Sequence, residues 1–594
     1  MAFERWRRLG LLLTLAAPAA LACGSSGSSK ESAQDGGGSG ALDGSSSGVG
    51  DAMHGGDSPA TSDAGGGDAP GPTTPTVSSW VGTNVDADLP YADITYMLSA
   101  FNTAAAQLDA NGYPVAGASG QSQTDLGFEL PTGTYDISFV GAGTLAVSGI
   151  GALMGSWQTV NGEQRAQIKV TGTPGSFGNF LTLNVTNGAS QTVTNIHIYL
   201  PGIDYDATNP FNPSFLSALT PFRAMRFMGW MQTNNSKLAN WADRPAAASF
   251  GASPYGVPYE LIAELANQTG KDTWINVPEA ATSSFITSFA AFMAQDLDFT
   301  RIAAARQAAG FTTPYQLILE NSNETWNTGF SAYNTFLTAA NANPTRYPGT
   351  YAGTYGPSWM TSDADLMKVG QYEADRLVTI AEAFQQALQA GGHADAVAPV
   401  LSGWALGAGY SDDGLTFIQT NYGTPSQYVK YVALAPYFAT ADDTTTGSLS
   451  TIFPAMVTNI MSMSSAMQGF AMLNKQNSVD IAAYEGGQSL SGTTNETIKH
   501  LAQFDVRMEQ TYQTYLSFWQ QSFGNALFMH FNLAGTPGLP ENIYQYGFWG
   551  SLPGVDEDLT TCGQNLPTLT GTETVSSLLG YCPKYAALAA HVPQ

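Results

Sequence analysis

The chain has 594 residues, 43% of them hydrophobic and only 11% charged, and its 47 acidic against 21 basic side chains leave a net charge of -26. That length allows two or three domains. The acidic balance argues against nucleic acid, whose phosphates need clustered Lys and Arg. A surface so poor in charge must be built from Asn, Gln, Ser, Thr and Gly, which suits neutral polar ligands such as glycans.

The first ten residues, MAFERWRRLG, are rich in arginine, and the apolar stretch LLLTLAAPAALA follows, ending in small residues directly before Cys23. This is the layout of an export signal, too short to span a membrane as a mature helix. Ala20-Leu21-Ala22-Cys23 resembles a bacterial lipobox, with Ala20 at the place where Leu is more usual. Residues 1–23 are therefore expected to direct export and Cys23 to carry a lipid anchor, an ordinary export signal being the alternative. Either reading puts the mature protein outside the cytoplasm, on the cell surface or outer membrane if anchored, and secreted otherwise. Residues 24–77 are Gly, Ser, Asp, Ala and Pro with almost no large apolar side chain, and read as a disordered tether.

From Trp80 the composition changes. WVGTNVD reads as a strand, and 104–201 shows short alternating runs split by Pro and Gly turns, predicting a small β-sandwich. After Gly202, apolar strand-like runs recur at 221–230, 272–278, 315–324, 396–405, 431–438, 480–487 and 526–535, with helix-period stretches between them. Alternation of that kind implies parallel strands joined by crossover helices. With the leading strand there are eight, the number of an α/β (β/α)8 TIM barrel, formed by 78–103 plus 202–594 with the β-sandwich inserted after the first strand.

Such barrels place their chemistry at the C-terminal ends of the strands. Two carboxylates fall there, Glu324 in LILENSNETWN and Glu485 in AAYEGG. Facing carboxylates can cleave a glycosidic bond, one protonating the leaving oxygen and the other attacking the anomeric carbon or activating water. The plainer readings are a strand-end turn for Glu324 and a turn carboxylate before two glycines for Glu485. Glu320 shares a strand face with Glu324 by alternation and is expected to pair with Arg226 inside the barrel.

Asn323–Glu324 at the end of strand four, with Glu485 at the end of strand seven, resembles the retaining glycoside hydrolases of clan A. ENSNETWN with AAYEGG is also similar to bacterial cellulose-binding proteins and glycoside hydrolases. The resemblance covers roughly 80–594 without the insertion. It implies Glu324 as general acid/base, Glu485 as nucleophile, Asn323 on the sugar 2-hydroxyl, Arg226 near the nucleophile and Tyr437 orienting it. The clan often has Trp at the end of strand eight, where this chain has His530 and Asn532, with Trp549 further on. Trp230, Trp326, Trp404 and His530 are the remaining expected substrate contacts.

The expectation is thus an exported retaining hydrolase of β-linked poly- or oligosaccharide, acting as a monomer without metal or cofactor. The alternatives are a non-catalytic carbohydrate-binding surface lipoprotein and an inverting hydrolase. No zinc-spaced Cys/His cluster, P-loop or dinucleotide fingerprint occurs. Cys562 and Cys582 remain once Cys23 is lipidated, and in an oxidising compartment they are expected to bridge.

Overall fold

The computed structural model describes residues 80–591 except 88, 125–129, 172–179, 205–208, 441–445, 536–547, 575, 576 and 579. The expected export signal, Cys23 and the tether at 24–77 lie outside the described residues. Among those described, no helix is long and apolar enough to cross a membrane.

The strands in chain order are β1 (Val81–Asn84), β2 (Ser119–Gln123), β3 (Gly133–Gly141), β4 (Thr144–Gly149), β5 (Gly151–Val160), β6 (Glu163–Val170), β7 (Leu181–Thr186), β8 (Val193–Tyr199), β9 (Ala224–Arg226), β10 (Asp272–Val277), β11 (Leu317–Asn321), β12 (Val397–Ser402), β13 (Tyr431–Leu434), β14 (Asp480–Ala483) and β15 (Phe528–His530). Strands β1 and β9 to β15 are parallel and close into one barrel, in which β1 pairs with both β9 and β15. This is the (β/α)8 TIM barrel. Every residue of β10, β11 and β12 is buried, as expected of strands covered by helices outside and by side chains within. Alternate residues point inward: Ala224, Trp274, Ile318, Ala398, Val400, Ala433, Ala482 and Met529 make an apolar plug. The same alternation carries Asn84, Arg226, Asn276 and Glu320 inward above that plug.

Between β1 and β9 the chain forms two antiparallel sheets, one of three strands in the order β2-β7-β4 and one of four in the order β5-β6-β3-β8. Tyr135, Ile137 and Ile168 of the larger sheet and Leu145, Leu181 and Leu183 of the smaller are all buried, in a core continuous with that of the barrel. Phe101 stacks on Phe250 at 4.4 Å between ring centroids, and Asp93 and Tyr91 bridge to Tyr199 and Phe211. The longest helix, Ala364–Gln389, lies between β11 and β12 and starts on Asp363, whose carboxylate accepts from the Asp365 and Leu366 amides. The helical pattern before β15 is broken into Glu496–Ala502 and Val506–Phe523, because Asp505 turns its carboxylate to the Arg507 amide and caps a new helix. A disulfide joins Cys562 to Cys582, 20 residues apart.

Candidate active site

The barrel mouth is organised around Arg226, the last residue of β9, which is fully buried. Its Nε and Nη2 reach the two oxygens of Glu320 at 2.9 and 3.0 Å, and Nη2 also reaches Asn323 Oδ1 at 2.7 Å. Its Nη1 donates to Asn84 Oδ1 at 3.1 Å and to Glu485 Oε1 at 2.7 Å. All five N–H donors of the guanidinium are thereby engaged. Burial opposes the charge of Arg226, but Glu320 and Glu485 outweigh it and hold the group protonated. Glu320 accepts in addition from Trp274 Nε1 and Asn276 Nδ2, each at 2.8 Å. The expected Arg226–Glu320 pair therefore exists inside the barrel and fixes the floor of the site.

Glu485 follows β14 and accepts on both oxygens, from Arg226 on Oε1 and from the Tyr437 hydroxyl on Oε2 at 2.9 Å. The two glycines after it permit close packing. A Cβ on Gly486 would sit 2.8 Å from the Tyr515 hydroxyl, and one on Gly487 would sit 2.8 Å from that of Tyr512, at a backbone φ of +134°.

Glu324 lies past the end of β11, which stops at Asn321 rather than running to 324. The cause is backbone in the left-handed region at Ser322 (φ 65°) and at Glu324 itself (φ 42°), so strand alternation does not extend to the acid. Its Oε2 accepts from Asn327 Nδ2 at 2.9 Å and its Oε1 from the Tyr484 hydroxyl at 3.3 Å. Burial, and next the charge of Glu485, push the Glu324 carboxyl up to about 8. Glu324 and Glu485 are both almost entirely buried, at 5% and 4% exposure.

Left-handed backbone on residues other than glycine persists only where its surroundings enforce it. Here the enforcement comes from Thr325. Its hydroxyl donates to Glu373 Oε2 at 2.5 Å and lies 3.1 Å from Ser402 Oγ and 3.0 Å from the Tyr410 hydroxyl. Glu373, on the long helix, accepts also from Tyr410 at 2.7 Å and from the Ser402 amide at 3.0 Å. Among the described residues it has no cation as a hydrogen-bond partner, and burial pushes it up to about 7.

Asn323 is oriented without ambiguity. Arg226 must meet its oxygen, so its amide nitrogen faces Asn234 Oδ1, at 2.9 Å. Among the described residues nothing accepts the second N–H of that nitrogen, which remains for a ligand. Asp86, just beyond β1, adds a fourth acid, on the Glu485 side. It packs against the Gly229 backbone, and burial, followed by the charge of Glu485, pushes it up to about 6. Among the described residues no cluster of three or more His, Cys, Asp or Glu is arranged to hold a metal ion.

The structure brings Glu324, Glu485, Asn323, Arg226, Tyr437 and Trp326 together, and corrects three of the expected substrate contacts. Trp230 is turned into the core, where Tyr91, Phe211, Phe215 and Phe227 pack its ring at 5.2 to 6.4 Å. His530 is fully buried with both ring nitrogens in use, Nε2 to the Tyr512 hydroxyl and Nδ1 to the Asn532 carbonyl, each at 3.0 Å. Burial pushes it down to about 3, so its ring is neutral. Arg226 has no donor left for a sugar and acts by holding the carboxylates. Trp549 is edge-on to Phe531, which is edge-on to Tyr437. Trp326 stacks on Trp404 at 4.9 Å and 9°. Sequence reasoning missed Tyr484 and Glu373. Tyr484 directly precedes Glu485, and inward alternation along β14 could have found it; Glu373 gave no signal.

No protein-family model matches the sequence, and no curated protein does. Among solved structures, the chain is similar to the GH51 arabinofuranosidase from Xanthomonas axonopodis pv. citri, at 12% identity over 56% of this chain and 63% of that one, with a TM-score of 0.34. It is also similar to the N-terminal endo-1,4-beta-D-xylanase 10B of Clostridium thermocellum, CBM22-1 and GH10 modules with xylohexaose, at 11% identity over 86% and 96%, TM-score 0.37. A family 51 alpha-L-arabinofuranosidase from Bifidobacterium longum matches at 11% identity over 58% and 69%, TM-score 0.32. The chain spans less than two thirds of the Xanthomonas arabinofuranosidase.

Proposed function

We propose that this chain is a glycoside hydrolase that cleaves β-linked poly- or oligosaccharide with retention, through Glu324 and Glu485. One observation carries the reading: two carboxylates at one barrel mouth sit in opposite surroundings. Glu324 is desolvated beside another acid and is held neutral at pH 7. Glu485 accepts on both oxygens, from the Arg226 guanidinium on one and the Tyr437 hydroxyl on the other. Pairs whose environments differ in this way divide acid and nucleophile roles between them.

In the first step a Glu485 oxygen bonds to the anomeric carbon while the glycosidic C–O bond breaks, and the departing oxygen takes the proton of Glu324. In the second, Glu324 removes a proton from water, the water oxygen bonds to the anomeric carbon, and Glu485 leaves as carboxylate. The free N–H of Asn323 is the donor for the sugar 2-hydroxyl, and Tyr437 steadies Glu485. Export and an acyl chain on Cys23 belong to the same reading and rest on the N-terminal layout; labelling with a palmitate analogue, abolished in Cys23→Ala, would support the anchor.

The test is hydrolysis of β-glucans, xylans and mannans by the parent, Glu324→Gln and Glu485→Gln, with NMR of the anomeric proton first released. Retention in the parent and loss in both variants supports the proposal. First-formed product of inverted configuration points instead to an inverting hydrolase. Glycan binding without turnover, equal in all three proteins, would leave a carbohydrate-binding protein on a barrel scaffold.

A further inference from the structure

Beyond the carboxylates, the strongest unexplained feature is Trp359. It stands on a single helical turn, Ser358–Thr361, and is 51% exposed. An indole left half in water is not there for the core. It meets Trp404 edge-on, with ring centroids 5.1 Å apart and planes at 90°. Trp404 in turn is stacked on Trp326, whose Nε1 donates to the Tyr484 hydroxyl at 3.3 Å, and that hydroxyl donates to Glu324. An unbroken line of contacts therefore runs from the acid at the barrel mouth to an open aromatic face at the surface.

The segment that carries Trp359 is firmly held. Asp412 accepts from the Tyr351 hydroxyl at 2.5 Å, from the Tyr355 amide at 2.6 Å and from the Thr354 amide. Asp413 accepts from the Ala352 amide and from Gln371 Nε2, each at 2.9 Å. Both aspartates are 1% exposed. The loop after β12 lies so close that a Cβ on Gly407 would come 2.8 Å from Pro357, and one on Gly409 would come 2.8 Å from the Gly356 Cα. Two buried carboxylates and backbone-to-backbone packing thus fix the position of a side chain that contributes little to the interior. Rigid presentation of an aromatic ring lowers the entropic cost of binding to it.

We propose that Trp359, propped by the Trp404–Trp326 stack, is a sugar platform on the leaving-group side of the scissile bond. The occupant is a neutral chain of β-linked pyranoses. The side follows from Glu324: the acid that protonates the departing oxygen marks that side, and the tryptophans are joined to the acid. The occupant's neutrality follows from charge. Asp363 and Asp365 are close neighbours of Trp359 in the chain, and Lys368 is already paired with Asp365 at 3.1 Å, so a uronate-rich glycan would be repelled. Pyranoses with equatorial substituents present flat C–H faces that an indole covers. The inference rests on the assignment of Glu324 as acid.

The experiment compares the full chain with Trp359→Ala and Trp359→Phe on a soluble β-glucan or xylan and on an aryl glycoside, whose leaving group is too short to reach Trp359. Affinity electrophoresis on the same polysaccharides is run with Glu324→Gln as background. The expected result is a rise in polymer KM of about tenfold in Trp359→Ala, the scale of removing one well-packed aromatic anchor. Aryl glycoside turnover should be unchanged and Trp359→Phe largely restored. Equal loss on both substrates, or no change on either, overturns the platform. If the parent cleaves neither substrate, the hydrolase reading fails; retardation on polysaccharide then decides the platform by itself, and equal retardation with and without Trp359, or none in the parent, overturns it.

Discussion

The Tyr484 hydroxyl donates to Glu324 Oε1 across 3.3 Å although the two residues are 160 positions apart. Tyr484 is also the backbone neighbour of Glu485, so one side chain ties the end of β14 to the acid beyond β11. Arg226 lies over the face of its ring, 5.1 Å from the centroid.

That contact has a measurable sign. A general acid must be protonated, so kcat/KM should fall as pH rises through about 8, the value to which burial and Glu485 push Glu324. The Tyr484 hydrogen bond works against this rise. Tyr484→Phe should therefore move the alkaline limb of the pH–rate profile upward. A limb unchanged or displaced downward would contradict the arrangement.

Arg226 neutralises two carboxylates that are almost wholly buried. Arg226→Leu leaves both without a counter-charge and should cost about 3–5 kcal/mol, the usual penalty for breaking a buried ion pair from one side. Arg226→Lys retains the charge but offers three donors in place of five. It should fold, read by thermal melting, and lose most activity.

Glu373→Gln isolates a linkage effect. The folded state raises Glu373 from 4.5 to about 7. Its contribution to stability is therefore complete below pH 4.5 and is lost as pH rises through about 7. The variant lacks this loss, so its stability relative to the parent should improve between pH 5 and pH 8, by on the order of 3 kcal/mol. Chemical denaturation at the two pH values reads the slope, whatever fixed cost the amide adds.

Asn323→Ala should lower kcat/KM about 10²–10³-fold on ordinary glycosides, since hydrogen bonds to the 2-hydroxyl strengthen in the transition state by several kcal/mol. On a 2-deoxy glycoside the same variant should lose much less. Equal losses on both substrates would remove Asn323 from the sugar.

Cys562→Ser should cost about 3 kcal/mol, as expected for opening a loop of this length. Turnover at 25 °C should stay unchanged, because the bridge lies outside the site.

The barrel was legible because its strands are apolar runs bounded by polar tails, and the tails of β11 and β14 are where Glu324 and Glu485 stand. What could not be read depends on packing between distant segments. Trp230 and His530 sit at strand ends as a substrate contact would. Phe211 and Phe215 draw the first into the core, and Tyr512 occupies the second. Glu373 occupies an ordinary helical position, and only the fold brings Thr325, Ser402 and Tyr410 around it. The left-handed turn at Ser322 and Glu324 was masked because neither residue is glycine.

A ribosome delivers β1 first and β15 last, yet the two are hydrogen-bonded neighbours, with Thr83 paired to His530. Asn84, which steadies Arg226, is itself held by the carbonyls of Tyr484 and His530 at 3.1 and 3.2 Å. The grip on Glu485 is thus completed only by the closing strand. A nascent or proteolytically clipped chain that lacks residues 528–530 would keep Arg226 and both carboxylates but lose that grip, so the proposed activity would report on intact synthesis.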